Sequence, residues 1–265
     1  MVNLIIPDML NRDETEINEY FKKSGSLSYY ACYPSYYSFL NSGIRKCSFI
    51  DGELVVSKNN KPYILFREND GLAKKIKAEE YLYLNHQRSK SDEKEVEYIW
   101  DLDWISNLTD SDIRYRYNYV RRRFDTQIKD LSQVPTEKLV TFLDKWKEEH
   151  RHYFRLTTRR DYKLLELQDK LIDVVALSQD KVISTWIATP HPNKEDMIVS
   201  IFHKGLISHR HAELFAIVSG SRKALDMGFK FSNDSCAGTS GLKRFKEKLK
   251  GGNGRYNIIY NSKIS

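Results

Sequence analysis

Residues 223–252, KALDMGFKFSNDSCAGTSGLKRFKEKLKGG, combine the end of a helix, a short strand and a second helix. The first helix starts near residue 210, and Gly228 ends it because glycine readily adopts the left-handed conformation of a helix C-terminus. Residues 229–233 are predicted to form a strand, and residues 241–250 a short helix after a polar turn. This part of the chain is therefore predicted to follow a helix–strand–helix order.

Three apolar segments precede this unit and are predicted to be strands, at residues 173–177, 182–188 and 197–203. One more predicted strand, at residues 255–260, follows it. A long helix that connects two strands predicts a parallel crossover, while short turns between the other segments predict antiparallel pairing. The order predicts the α+β class, with a mixed sheet flanked by helices.

The first third of the chain has the pattern of a small antiparallel meander. Strands are predicted at residues 47–50, 53–57 and 62–66. Asp51-Gly52 favours a two-residue hairpin turn between the first two, because aspartate and glycine tolerate the positive φ that this turn requires. A short amphipathic helix is predicted before the meander, at residues 13–23.

The remaining segments are predicted from helical periodicity and composition. Helices are predicted at residues 76–84, 110–130, 135–151 and 164–171, and a strand at residues 98–102. Thr136 is predicted to cap the third of these helices, since a threonine side chain accepts hydrogen bonds from the first free N–H groups. Residues 85–97 are polar without apolar periodicity, which predicts a linker. We therefore expect two lobes, residues 1–97 and 98–265.

Composition and cysteine content bound the class of protein. The 265 residues are 40% hydrophobic and 30% charged, which is enough apolar content for a large core. No run approaches the ~18 apolar residues of a membrane helix, and the N-terminus lacks the basic segment of a signal peptide. The three cysteines show no metal-ligand spacing, and their odd number predicts reduced thiols in a cytoplasmic protein.

The charge of the chain favours an anionic partner. Its net charge is +7 at pH 7, which suits nucleic acid, a phosphorylated cofactor or an anionic lipid. Six basic residues and one acid fall between residues 241 and 255, and a second cluster consists of Arg121, Arg122 and Arg123. Each cluster is either a surface that binds an anion or a solvated helix face.

Residues 223–252 resemble the C-terminal signature of Fem-like aminoacyl and acyl transferases. The matching features are Ala-x-x-x-Gly at the helix end, Asn233 and Asp234 after the short strand, Gly-Leu-x-x-Phe-Lys, and a glycine pair. Residues 35–66 look like the N-terminal lobe of the DUF2156, or lysyltransferase-like, family, and residues 117–125, YNYVRRRFD, resemble its basic segment between lobes. The resemblance implies a GNAT-type fold with two GNAT-like lobes, of which the first is degenerate.

The resemblance also implies an activity. It is the transfer of an acyl or aminoacyl group from acyl-CoA or aminoacyl-tRNA to an amine or hydroxyl acceptor. Residues 209–213, HRHAE, lack the glycines with which ordinary GNAT enzymes hold the CoA pyrophosphate, and Glu213 would repel that group. This departure favours aminoacyl-tRNA. Two alternatives stay open: a GNAT-like enzyme that modifies nucleic-acid bases, and a non-catalytic GNAT relic that binds nucleic acid or protein.

Two residues are candidates for catalysis at the place where, in GNAT folds, neighbouring strands splay beside the long helix. His203 ends a predicted strand, and its ordinary pKa near 6.5 suits a general base; the alternative is a histidine with no role. Asp234 follows the next strand and matches an acidic position of the family pattern. It could orient an ammonium group, accept a proton, or simply cap a turn.

The helix at residues 241–250 is the predicted site for phosphate of the donor. Its N-terminus offers free N–H groups, and Leu242, Phe245 and Leu249 are expected to pack inward while Arg244, Lys246 and Lys248 face elsewhere. The proposed ligands are Gly241, Lys243, Arg244, Lys246 and Lys248. The alternative is a solvated face.

Arg121, Arg122 and Arg123 are interleaved with aromatic residues at Tyr115, Tyr117, Tyr119 and Phe124. This mixture suits contact with single-stranded nucleic acid, a tRNA end or another anion, and it also suits an ordinary amphipathic helix. His150 and His152 are too closely spaced to bind one metal ion from a helix face, and no metal cofactor is expected.

Overall fold

The computed structural model describes residues 14–25, 32–35, 37, 46–58, 61–65, 72, 80–84, 94–150, 157–235, 237 and 239–263. The helices are α1 (Glu14–Ser24), α2 (Leu102–Ser106), α3 (Ser111–Arg123), α4 (Thr136–Glu149), α5 (Thr157–Leu164), α6 (Ala212–Asp226) and α7 (Ser240–Lys250). The strands are β1 (Lys46–Ile50), β2 (Glu53–Lys58), β3 (Lys61–Leu65), β4 (Glu80–Leu84), β5 (Lys94–Asp101), β6 (Thr126–Lys129), β7 (Ile172–Ser178), β8 (Lys181–Pro190), β9 (Met197–Gly205), β10 (Phe231–Asn233) and β11 (Arg255–Lys263).

Among the described residues, these eleven strands form one mixed sheet in the order β1-β2-β3-β4-β11-β5-β10-β9-β8-β7-β6. The β6–β9 segment is antiparallel, and β10 pairs parallel to β9 because α6 carries the chain back across the sheet. The predicted α+β class, with a mixed sheet flanked by helices, is confirmed.

Helix α6 packs directly on one face of the sheet. Its apolar side chains are buried over a strand core that includes Trp100, Trp186 and Ile198. A Cβ at Gly220 would lie 2.2 Å from the Trp186 ring, so only glycine lets the helix approach this closely. Gly228, at φ 95°, ends the helix as predicted.

Helix α4 covers the opposite face. It buries the predicted stripe of Leu139, Phe142, Leu143 and Trp146 against β7, β8 and β9. Thr136 is its first residue and Pro135 its N-cap, without a side-chain hydrogen bond, so the predicted threonine cap is wrong. The meander is confirmed as β1–β3, and Asp51 and Gly52 have the positive φ of a two-residue hairpin.

Four other predictions differ from the structure. Residues 80–84 and 94–97 form strand, where a helix and a linker were predicted; residues 76–79 and 85–93 lie outside the described residues. The helix predicted to reach residue 130 ends at Arg123, and β6 follows. The helix predicted at residues 164–171 begins earlier, as α5, and continues into a 3₁₀ turn.

The division into lobes at residues 97 and 98 stays a prediction. Strand β5 runs across this boundary, and β11 inserts between β4 and β5. No helix among the described residues is long and apolar enough to cross a membrane.

Candidate active site

A gap opens between β9 and β10 at the carboxyl ends of these two parallel strands. Their pairing stops at Asn233 opposite Val199, although β9 continues to Gly205. The chain then follows β5, because the Asp234 N–H donates to the Tyr98 carbonyl at 2.8 Å. On the other side of β9, a β-bulge in its pairing with β8 shifts the register and increases the local twist.

Four charged side chains bridge this gap, and we call them the charged bridge: His203, Glu213, Asp234 and Lys246. His203 Nε2 lies 2.9 Å from Asp234 Oδ1, and His203 Nδ1 lies 2.6 Å from Glu213 Oε1. Lys246 Nζ lies 2.9 Å from Asp234 Oδ2 and also donates to the Asp234 carbonyl. The chain thus runs from Lys246 through Asp234 and His203 to Glu213.

The charged bridge has a buried end and an open end. The side chains of Asp234 and Lys246 are only 2% and 4% exposed, and that of His203 is 12% exposed. The Glu213 side chain is 43% exposed, in the first turn of α6. A substrate in the gap would therefore meet Glu213 and the Nδ1 side of His203 first.

The charged bridge reverses the protonation state expected for His203. Burial by itself lowers the pKa of His203, but the charge of Asp234 and the hydrogen bonds to Asp234 and Glu213 outweigh it and raise the pKa to about 9. Burial raises the pKa of Asp234, but the charges of Lys246 and His203 outweigh it and lower the pKa below its ordinary value. At neutral pH His203 is therefore an imidazolium.

The raised pKa of His203 also makes the stability of the fold depend on pH. A histidine whose pKa is higher in the folded than in the unfolded chain stabilises the fold fully below its unfolded value near 6.5. This contribution is lost as pH rises through about 9. The same pair of carboxylates that charges His203 thus ties β9 to α6 and to the turn after β10.

Local sequence explains how these side chains meet. A Cβ at Gly205 would lie 2.3 Å from the Glu213 backbone nitrogen, so a glycine at the end of β9 lets the first turn of α6 come close. Thr239 caps α7 by accepting from the Leu242 N–H, which fixes the start of the helix that carries Lys246. The Trp100 ring packs 5.8 Å from the imidazole of His203.

The predicted pair His203 and Asp234 is brought together, whereas Lys246 is not where the sequence placed it. The expectation that Lys246 faces away from the packed side is wrong, because it is buried and its ammonium contacts Asp234. Lys246 lies four residues after Leu242 and three before Leu249, so it falls on the inward stripe. The burial of Lys246 conflicts with its predicted role as a phosphate ligand.

The other predicted phosphate ligands are on the outer side of α7. Gly241, Lys243 and Arg244 are exposed, and their role stays a prediction. Lys248 pairs with Asp112 at 2.5 Å and with Asp110 at 3.4 Å, which joins α7 to α3. The predicted anion contacts Arg121, Arg122 and Arg123 are exposed in the last turn of α3.

Sequence reasoning missed one residue of the site, Glu213, and one buried polar pair behind it. Glu213 was read only as a group that repels pyrophosphate; its place in the first turn of α6, beside the end of β9, was the available signal. The polar pair is fully buried on the other face of the sheet, where the Asn233 amide donates to the Glu97 carboxylate at 2.8 Å. Glu97 was not singled out because it belongs to the segment that was predicted to be a linker.

Comparison with known proteins rests on structure. No family model and no curated protein matches the sequence. The fold matches a conserved protein of unknown function from Bacteroides thetaiotaomicron at 13% identity and a TM-score of 0.74, over 98% of this chain and 100% of that one. It also matches FemX at 9% identity and a TM-score of 0.62, over 95% and 96%.

A third similar structure is the C-terminal DUF2156 domain of an Agrobacterium fabrum protein named as a lysylphosphatidylglycerol synthetase. It is 14% identical with a TM-score of 0.60, over 94% of this chain and 93% of that one. The chain has a GNAT-like fold, in the arrangement that FemX and this DUF2156 domain share. Within the described part of the chain, no three His, Cys, Asp or Glu side chains are grouped so that they could hold a metal ion.

Proposed function

We propose that the chain is a transferase that moves an aminoacyl group from an ester donor, aminoacyl-tRNA, to an amine or hydroxyl acceptor in the gap between β9 and β10. The observation that carries the proposal is the geometry of His203 at the gap, where its two ring nitrogens contact the buried Asp234 and the half-exposed Glu213. One fold neighbour supports it, because the name lysylphosphatidylglycerol synthetase denotes an enzyme that makes a lysyl ester.

Acyl transfer makes two demands on a site. The nucleophile must lose a proton, and the oxygen of the leaving group must gain one as the carbonyl carbon changes partner. Both demands are met at the open end of the charged bridge. There Glu213 offers a carboxylate that accepts a proton, and His203 offers an Nδ1–H that donates one.

A complete proton cycle follows from this geometry. The acceptor nitrogen or oxygen forms a bond to the carbonyl carbon while its proton passes to Glu213. The bond from that carbon to the ester oxygen of the donor breaks, and His203 gives the oxygen its Nδ1 proton. Glu213 then returns a proton to His203 across the 2.6 Å contact, which restores the starting state. Asp234 holds the ring throughout.

The choice of an ester donor rests on the loop before α6. The His209 N–H donates to the Leu206 carbonyl and the Ala212 N–H donates to the His209 carbonyl, at 3.0 and 2.9 Å. These N–H groups are occupied within the loop, and the N-cap residue His211 brings a side chain in the left-handed conformation. A pyrophosphate cradle needs several free N–H groups that no side chain crowds, and the carboxylate of Glu213 beside them would repel the pyrophosphate, so acyl-CoA is disfavoured.

A donor comparison tests the proposal. Purified protein is incubated with a tRNA pool charged with labelled amino acids, or with labelled acetyl-CoA, and with ethanolamine as an acceptor that has both an amine and a hydroxyl. We expect label to reach ethanolamine faster than without protein from the tRNA pool only. Transfer of label from acetyl-CoA alone would contradict the choice of an ester donor. If neither donor transfers its label to ethanolamine, the proposed function is contradicted.

A further inference from the structure

The outer face of α3 forms a groove of about 510 Å³, which we call the α3 face. The described residues that line it are Ser111, Arg114, Tyr115, Asn118, Tyr119, Arg122 and Arg123. Their spacing follows one side of a helix. The other side of α3 is packed on α6, where Tyr117 stacks on Phe215 with ring centroids 4.9 Å apart. The helix is therefore anchored, and the α3 face is turned outward.

The positive charge of the α3 face is not paired with a carboxylate of the part of the chain that the structure describes. Arg114, Arg122 and Arg123 are exposed, and among the described residues none of the three has a carboxylate within ion-pair distance. Arg116, which lies off this face, differs because it pairs with Asp112 at 2.8 Å. Three unpaired guanidinium groups along one helix favour a partner with several phosphates.

The α3 face also carries flat aromatic surface. Tyr115 is 64% exposed as a residue, and its ring centroid lies 6.4 Å from that of Tyr119. Tyr119 in turn meets the His211 ring edge to face at 5.7 Å. Tyr119 is thus held on both sides, while Tyr115 presents a platform on which a base can stack.

The α3 face leads toward the active site. His211 is the N-cap of α6, and Glu213 in the first turn of that helix is the open end of the charged bridge. Burial lowers the pKa of His211, and the charges of Arg116 and Arg210 lower it further. An extended ligand that lies along the α3 face and reaches toward the gap would therefore pass the neutral imidazole of His211, on which a flat group can stack.

We propose that the α3 face binds single-stranded nucleic acid. From Ser111 to Arg123 the helix rises about 18 Å, a length that suits a chain of phosphates rather than one phosphate. The lining contains serine, arginine, tyrosine and asparagine but no leucine, tryptophan or phenylalanine, the side chains with which an amphipathic helix enters a lipid layer. Arginine and tyrosine together match the phosphates and bases of an unpaired strand.

The inference rests on the proposed function in one respect: the bound strand is the part of the donor that carries the aminoacyl ester. Binding is nevertheless measurable without catalysis. Replacing His203 by glutamine removes the proposed acid and leaves the α3 face unchanged, so this variant should bind the strand as wild type does. Transfer and strand binding can thus fail separately.

Fluorescence anisotropy with a labelled short oligouridylate, at about 50 and 200 mM salt, tests the inference. Replacing both Arg114 and Arg122 by alanine should weaken binding at least tenfold and reduce the salt slope by about 1.4, since each phosphate contact to a single strand contributes about 0.7. Tyr115→Ala should weaken binding by about tenfold, while Tyr115→Phe retains it, because stacking needs the ring and not the hydroxyl. The matched control removes two exposed lysines of α4, by Lys145→Ala and Lys147→Ala, and should leave binding nearly unchanged.

Three outcomes would overturn the inference. In the first, replacing the two arginines and replacing the two lysines weaken binding equally, which means that only the net charge of the protein matters. In the second, wild type does not bind the oligonucleotide. In the third, it binds vesicles containing phosphatidylglycerol through the same arginines and ignores the oligonucleotide, which would make the α3 face a lipid surface.

Discussion

Replacing Lys246 by methionine is expected to lower the free energy of unfolding by about 3 kcal/mol, the lower end of the range for breaking a buried ion pair, because it removes one of the two cations that pair with the buried carboxylate of Asp234. Asp234 is 2% exposed, and Lys246 Nζ contacts both its Oδ2 and its main-chain carbonyl. Methionine has a similar length and fits the apolar stripe of α7, so packing changes little. Urea unfolding followed by circular dichroism measures the effect.

The control is Lys243→Met on the same helix. Lys243 is exposed, and its replacement should change the free energy of unfolding by less than about 0.5 kcal/mol. Adding Asp234→Asn to Lys246→Met removes the buried carboxylate whose compensation is incomplete, and should restore part of the loss. Equal effects of the two single lysine changes, or no recovery in the double variant, would show that Lys246 is not paired in the interior.

The second large effect is expected at His203. Replacing it by glutamine should slow aminoacyl transfer by about 100- to 10,000-fold, the range for loss of a positioned acid or base. Glutamine keeps an N–H donor but carries no charge and cannot donate a proton to the leaving oxygen. The measurement is the rate of label transfer to ethanolamine from the charged tRNA pool.

His209→Gln is the matched control, since His209 lies in the loop before α6 and makes no contact in the charged bridge. It should transfer at nearly the wild-type rate. The wild-type rate should also fall as pH rises through about 9, where the imidazolium is lost. A His203→Gln variant that is as active as wild type would remove His203 from the reaction.

Local pattern predicts the fold where strands and helices have neighbours nearby in the chain. The β7–β8–β9 segment, α6 and its glycine terminator follow from alternation, helical periodicity and backbone freedom. Residues 80–84 and 94–97 could not be predicted in this way, because each strand pairs with β11 from the far end of the chain. That partner overrides the polar composition that indicated a linker.

The site could be predicted only in part, because its side chains also meet through contacts between segments that are distant in the chain. His203 and Asp234 follow from one rule, that the carboxyl ends of parallel neighbours meet at one edge of the sheet. Lys246 was misplaced because a charged residue in a basic run indicates a surface, whereas its position on the stripe of Leu242 and Leu249 points inward. The expected base chemistry of His203 assumed its ordinary pKa, which two facing carboxylates raise.

A ¹⁵N NMR titration of His203 tests most directly whether the bridge across the gap is charged. The signals are assigned by their loss in His203→Gln. We expect both ring nitrogens to be protonated at neutral pH, with a midpoint near 9 that falls in Glu213→Gln. A midpoint at or below the ordinary value near 6.5, unaffected by Glu213→Gln, would contradict the charged bridge and the transfer chemistry built on it.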